Sequence, residues 1–129
     1  MNFKKWMYVL AALIGAYVYV SNHYGYREVL ELAKKKNDPE LTPKVEYYVG
    51  MAHYLRDEMP LSAEAFEMVL ANPSTGYYTP KAIYRLGMVY SERRQWDQAR
   101  GMYNRYMEEY PEGDNIDSVR KKFEVIKFR

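Results

Sequence analysis

Residues 84–111 read YRLGMVYSERRQWDQARGMYNRYMEEYP, and this stretch decides the fold class. Its apolar residues recur at the three- and four-residue spacing of an amphipathic helix. The small residues Gly87 and Ala99 are interleaved with large aromatic residues such as Tyr90 and Tyr103. The stretch contains no histidine and no cysteine. It therefore predicts two helices that pack against each other, and it does not indicate a site for chemistry.

The same helical period extends over the rest of the chain. Short breaks interrupt it at Asn37-Asp38-Pro39, Met59-Pro60, Asn72–Gly76, Arg94-Gln95 and Tyr110–Asp114. Proline explains most of these breaks, because it cannot continue a helix interior. No segment shows the alternation of a half-buried strand. The sequence therefore predicts an all-α chain with helices at residues 27–36, 43–56, 60–71, 79–93, 96–109 and 115–127.

Two parts of the chain are related to each other. When Gly50 is aligned with Gly87, the stretch Val45–Phe66 falls on Ala82–Tyr103. The matching positions are Pro43/Pro80, Lys44/Lys81, Tyr47/Tyr84, Met51/Met88, Ser62/Ala99 and Phe66/Tyr103. A glycine at this place permits close approach of two helices, and a small residue is expected to face it.

The repeated pattern resembles the tetratricopeptide repeat, a family of stacked helix pairs. The second unit has the family spacing at Leu86-Gly87, Tyr90, Ala99, Tyr103 and Pro111, with the aromatic Trp96 in the turn. The first unit is looser, because His53 and Ser62 replace the usual tyrosine and alanine. The resemblance implies a right-handed helical array with repeats at residues 43–76 and 80–113. The helix at 115–127 is expected to cap one end, and the helix at 27–36 to cover the other.

The first 26 residues predict a transmembrane helix. No charged residue lies between Lys5 and Arg27, and the strongly apolar part is the 15-residue stretch Trp6–Val20. That part spans about 22 Å as a helix, and extension to residue 26 reaches about 31 Å, against about 30 Å for a bilayer core. Aromatic residues suited to the membrane interfaces are Trp6, Tyr8, Tyr24 and Tyr26. Small residues that favour helix packing in lipid are Ala11 and Gly15.

A cleaved secretory signal is the alternative for this segment, although the residues after the apolar run fit a cleavage site poorly. The predicted organisation is an anchor at residues 1–26, a connecting helix and linker at 27–42, and a repeat domain at 43–129. The expected location is a bacterial inner membrane, crossed once, with the repeat domain in the periplasm. Lys4 and Lys5 favour that orientation, whereas Arg27 and Lys34-Lys35-Lys36 oppose it.

Composition disfavours most kinds of chemistry. The chain has 19 Lys and Arg against 17 Asp and Glu, which is too balanced for nucleic-acid binding. It has no cysteine and only two histidines, His23 and His53, so a metal site is not expected. No phosphate-binding loop and no catalytic set is suggested by a local motif. The sequence therefore predicts neither an enzyme nor a cofactor, and it favours a binding protein.

The resemblance implies that the first helix of each repeat lines a groove for a partner. The groove positions are Lys44, Tyr47, Met51, Tyr54, Lys81, Tyr84, Arg85, Met88 and Ser91. Tyrosine and methionine are adaptable contact residues, so a partner segment is expected there. Chaperone adaptors of this family clamp a carboxylate with lysine and asparagine, and Tyr47, Tyr84, Met51 and Met88 stand at those places instead. Two alternatives remain open: these residues pack against the helix at 27–36, or they face water without binding a partner.

The last helix is basic, with Arg120, Lys121, Lys122, Lys127 and Arg129. An acidic partner or anionic lipid would suit it, but a solvated face is the simpler interpretation. The predicted function is a membrane-anchored scaffold or accessory subunit that binds a partner protein in a membrane or envelope complex. The alternative is an exported, soluble periplasmic binding module from which the first segment is cleaved.

Overall fold

A computed structural model describes residues 2–23, 25–72 and 76–129. Over these ranges the chain forms helices and no strand, so the all-α prediction is confirmed. The helices are α1 (Phe3–His23), α2 (Tyr26–Lys36), α3 (Leu41–Leu55), α4 (Met59–Ala71), α5 (Tyr78–Glu92), α6 (Trp96–Glu109) and α7 (Ile116–Ile126). The bounds of α2 to α7 differ from the predicted ones by about two residues or fewer. Of the predicted breaks, Pro73, Ser74 and Thr75 lie outside the described residues.

The transmembrane prediction for residues 1–26 is wrong. In the described part of the chain, no helix combines the length and the apolar character that a membrane crossing requires. α1 carries Lys4 and Lys5 in its first turn, and its strongly apolar run of 15 residues covers only about 22 Å. The predicted single-pass inner-membrane location is contradicted by the same finding.

The residues assigned to that anchor have other surroundings. Trp6, Tyr8 and the small residues Ala11 and Gly15 are exposed on α1. Tyr26 begins α2, where its ring meets the His53 ring edge-on at a centroid distance of 4.9 Å. Tyr24 lies outside the described residues. The structure therefore joins Tyr26 to the helical domain and does not support its predicted place at a membrane surface.

α3 begins with a turn held by two side chains. Asp38 Oδ1 accepts hydrogen bonds from the backbone N–H groups of Glu40 and Leu41, each at 2.9 Å. These bonds, that from Leu41 first, hold the pKa of Asp38 below its ordinary value. The Thr42 hydroxyl donates to the carbonyl of Ala33 in α2 at 2.8 Å. Thr42 therefore ties α3 to α2.

Each of the two central helix pairs is closed by a glycine under an aromatic ring. A Cβ on Gly50 would lie 2.7 Å from the Phe66 ring, and one on Gly87 would lie closer still to the Tyr103 ring. Ser62 reinforces the first pair by donating a hydrogen bond to the Gly50 carbonyl at 2.8 Å. The predicted close approach of α3 to α4 and of α5 to α6 is confirmed.

The two pairs stack on each other through α4 and α5. Their shared core is apolar and fully enclosed, with Phe66, Val69, Ala82, Ile83, Leu86 and Val89 all at 0% exposure. At its edge the Tyr90 hydroxyl donates to Glu67 Oε1 at 2.5 Å, which joins α5 to α4. Tyr47 and Tyr78 add an aromatic contact at 5.4 Å on the other edge. Because each pair covers the other's apolar face, neither is expected to be stable alone.

The outer helices cover the ends of this stack, as predicted. α7 packs on α6 and buries Val119 and Ile126, with Ile116 and Phe123 partly buried beside them. α2 packs on α3 and buries Ala33. α1 differs from both, because no residue of α1 belongs to the core cluster of the described residues.

Candidate partner-binding face

α3 and α5 carry the predicted partner-binding residues, and together with α7 they form what we call the α3–α5–α7 face. α3 and α5 are the first helices of the two related units, and α7 meets α5 through Tyr84 and Ser118. The structure divides the predicted residues into two sets. Some are already engaged within the chain, and the others lie partly open between these helices.

Tyr47 is one of the predicted residues that are already engaged within the chain. Its side chain is buried, with its ring 5.6 Å from the Phe66 ring, so it belongs to the core. The Tyr84 hydroxyl lies 2.9 Å from Ser118 Oγ, a hydrogen bond that joins α5 to α7. The Ser91 hydroxyl donates to the Gly87 carbonyl at 2.9 Å. These residues shape the face without offering a free polar group to a partner.

The open set lies along α3 and α5. Met51, Tyr54 and Met88 are partly buried, and Lys44 is exposed. Burial raises the pKa of Tyr54, and the charge of Glu92 adds to that rise while Arg85 opposes it. Tyr54 on α3 is thus electrostatically close to both charges on α5.

Two cations on α5 lie over aromatic rings. The Arg85 guanidinium is 5.5 Å from the Tyr84 ring centroid, and the Lys81 ammonium is 5.1 Å from that of Tyr77. Such contacts contribute about 0.5–1 kcal/mol at exposed sites and hold each cation in place. Arg85 is therefore positioned at the centre of the face, beside Met88.

A cleft of about 230 Å³ opens between α5 and α7. Its lining is Met88, Ser91, Glu92, Tyr103, Lys122, Val125 and Ile126. The walls are mostly apolar, with Lys122 and Glu92 as the charged groups. A cleft of this size accepts one or two side chains of a partner, and Met88 supplies an adaptable floor.

Sequence reasoning missed the contribution of α7 to this face. Ser118, Lys122 and Val125 are spaced i, i+4 and i+7, so they share one side of α7. That spacing can be read from the sequence, so it could have predicted the contribution of α7. Among the predicted residues, Tyr84 packs against α7 through its hydrogen bond to Ser118.

Within the described ranges, no cluster of three or more histidine, cysteine, aspartate or glutamate residues is placed to hold a metal ion. Burial raises the pKa of Tyr54 and of Tyr103, which keeps both hydroxyls protonated at neutral pH. Their chemistry is therefore limited to hydrogen bonding and packing.

Comparison with known proteins identifies part of this architecture. Residues 81–113, which comprise nearly all of α5 and all of α6, match the sequence profile of the tetratricopeptide repeat family. No curated protein matches the chain. Tetratricopeptide repeats typically serve as non-catalytic modules for protein–protein interaction. The chain thus carries a tetratricopeptide repeat, formed by residues 81–113.

Proposed function

We propose that this chain is a protein-interaction module that holds a segment of a partner protein against the α3–α5–α7 face. It acts by binding and without catalysis. The observation that carries the proposal is the cleft between α5 and α7, which the partly open Met88 lines together with Lys122. Met51 and Tyr54 extend this surface onto α3.

The chemistry of the face favours a partner segment with an apolar or aromatic anchor. Methionine and tyrosine side chains adapt to such an anchor and bury apolar area around it. Lys122 and Glu92 are the charged residues that line the cleft, while Asp117 and Glu124 on α7 already pair with Arg120 and Lys127. A polar residue beside the anchor would complement these two charges.

Site-specific photo-crosslinking tests this proposal. A photoreactive residue placed at Met88 is expected to capture a discrete partner in the cell of origin, whereas the same residue at the exposed Gln98 on α6 is not. Lys122→Glu is expected to reduce the Met88 adduct, because it reverses a charge on the cleft wall. Equal capture at the two positions, or capture at Gln98 alone, would contradict the proposal that the partner binds the α3–α5–α7 face.

We further propose that the module is exported and that its first segment is removed. Two features support this: the positively charged start followed by an apolar run of signal-peptide length, and the absence of α1 residues from the core of the described chain. Mass spectrometry of the mature protein tests the proposal. An N-terminus near residue 22 is expected, and a mature chain that still begins at Met1 would contradict it.

A further inference from the structure

A second crevice lies away from the proposed partner face, between α2 and α4. Both helices pack against α3, which forms its floor. At one end is a cavity of about 500 Å³, whose apolar lining includes Leu30, Leu61 and Met68. Charged residues also line it, namely Arg27, Glu31, Lys34 and Glu64. At the other end is a cavity of about 260 Å³. Lys34 and Met68 line both cavities, so the two form one continuous crevice.

The floor of the smaller cavity contains an unusual carboxylate. Glu46 on α3 is only 4% exposed, and its Oε1 has no hydrogen-bond partner within the described chain. A buried polar atom without a partner is costly, and native proteins rarely leave one without a reason. The charged group that acts on Glu46 is Lys34, which lines the same cavity but is exposed and does not form an ion pair with it in the described structure.

The end of one helix adds to the negative character of this cavity. α4 ends at Ala71, and Asn72, which follows it, lines the cavity. A helix C-terminus carries a partial negative charge from its last carbonyl groups, and the last turn of α4 has no basic residue to offset it. α2 also ends at this cavity, but Lys34, Lys35 and Lys36 in its last turn offset its partial charge. A buried carboxylate oxygen and the C-terminus of α4 together favour a cation, and they disfavour an anion or a purely apolar group.

We propose that this crevice binds a basic side chain, arginine or lysine, of a partner polypeptide, with the cation paired to Glu46. The larger cavity then receives an apolar side chain of the same segment. Glu46 in the smaller cavity and His53 in the larger one are separated by about 10 Å along α3. Residues three positions apart in an extended chain are separated by about 10 Å. The matching segment is therefore extended, with an apolar residue three positions away from the basic one.

This crevice is a separate site from the α3–α5–α7 face. Glu46 and His53 line the crevice, whereas Lys44 and Met51 belong to the partner face. Glu46 is two positions from Lys44, and His53 is two positions from Met51. Two positions correspond to about 200° around the helix, so the crevice and the partner face lie on nearly opposite sides of α3. The proposal does not depend on the proposed function. The peptide titration described next can fail while the crosslinking at Met88 succeeds, and the reverse.

Titration of the full chain with short peptides, followed by NMR, tests the proposal. The probes are acetyl-Leu-Ala-Ala-Arg-amide and acetyl-Arg-Ala-Ala-Leu-amide, with acetyl-Leu-Ala-Ala-Gln-amide as the neutral control. We expect at least one arginine peptide to shift the signals of α2, α3 and α4 around Glu46, and to bind about tenfold more tightly than the control. Equal binding of the arginine and control peptides would overturn the proposal without any variant.

Three variants sharpen the test. Glu46→Gln keeps the size of the side chain and removes its charge, so it is expected to reduce arginine-peptide affinity about tenfold. Lys34→Met removes the competing cation and is expected to raise the affinity. Glu92→Gln, on the partner face, is expected to leave it unchanged. Wild-type affinity in Glu46→Gln, or shifts centred on α5 and α7, would overturn the proposal.

A last comparison distinguishes a partner segment from a small cation. Methylguanidinium has the same charged group without the apolar neighbour. We expect it to bind more weakly than the better arginine peptide, because it leaves the larger cavity empty. If it binds equally well, the crevice is a site for small cations, and the proposed polypeptide partner is wrong.

Discussion

Gly50 and Gly87 show how single residues set the geometry of this chain. Each lies directly beneath an aromatic ring of the opposing helix, Phe66 or Tyr103, at a distance that leaves no room for a Cβ. The glycines were recognisable in the sequence because they recur at equivalent positions with a small residue facing each. Close approach at these two points determines how deeply each aromatic ring enters the core.

Gly87→Ala is expected to destabilise the protein by about 1–3 kcal/mol, because a methyl group there overpacks the core against Tyr103. Gly101→Ala is the matched control, since Gly101 lies on α6 with no atom within 4 Å of an added Cβ. It should stabilise the helix by about 0.5–1 kcal/mol. Urea unfolding of both variants measures the difference. Equal effects of the two substitutions would contradict the packing described for Gly87.

Glu46 is expected to make stability depend on pH. Burial raises the pKa of Glu46 above its ordinary value of 4.5, and Lys34 has a weaker effect in the opposite direction. The other residues that line this cavity, on α2, α3 and α4, are uncharged. A raised carboxyl pKa contributes stability below the unfolded pKa, and that contribution is lost as pH rises through the folded pKa.

Glu46→Gln should therefore be more stable than the wild type at pH 8, and the difference should shrink at pH 4. Glutamine is neutral at both pH values, so it escapes the cost of burying a charge. Urea unfolding midpoints of the two proteins, measured at the two pH values, provide the comparison. A variant that is less stable than the wild type at pH 8 would show that Glu46 has a partner in the folded state.

At the scale of elements, α7 shows what an end helix contributes. Val119 is fully buried against the core, whereas Val125 on the same helix is 72% exposed. The sequence predicted that α7 caps one end of the stack, and its packing on α6 agrees with that. It did not indicate that the opposite side borders a cleft with α5, because that depends on how far the two helices stand apart.

Val119→Ala is expected to cost about 2 kcal/mol, from the loss of two buried methyl groups and the space they leave. Val125→Ala is the matched control and should change stability by less than about 0.5 kcal/mol. Thermal or urea unfolding of both variants checks this. Similar costs at the two positions would mean that α7 does not cap the stack as described.

α1 is the element that sequence reasoning judged wrongly. Its apolar run was interpreted as a membrane span, but it is too short for that role, contains several tyrosines, and is bounded by Lys4-Lys5 and by Ser21-Asn22-His23. Tyrosines at the ends of the apolar run are compatible with a membrane span and with a helix that does not cross a membrane, so they did not distinguish these two interpretations. The segment does form a helix, and the error was to place that helix in a membrane.

Removal of α1 is expected to leave the rest of the stack intact. A chain that begins at Gly25 should unfold with a free energy within about 0.5 kcal/mol of the full chain, because no α1 residue belongs to the described core. Urea unfolding of the two chains, with circular dichroism as the signal, makes the comparison. A loss of several kcal/mol would show that α1 packs against the other helices.

At the scale of the whole molecule, the stack is built from neighbours that cover each other. α2 covers α3, the two central pairs cover each other, and α7 covers α6. The repeated glycine and aromatic positions made this order predictable from the sequence. The candidate face was only partly predictable. A one-dimensional pattern does not show that Tyr47 enters the core or that Tyr84 bonds to Ser118.

The central claim is that this molecule works by holding a partner segment on the α3–α5–α7 face. Calorimetric titration of the segment identified by crosslinking, synthesised as a peptide, tests that claim most directly. We predict that Met88→Glu weakens binding about tenfold or more, because it places a charge on the apolar floor of the cleft, and that Gln98→Glu leaves binding within about twofold. Unchanged affinity in Met88→Glu, or an equal loss in Gln98→Glu, would contradict the account.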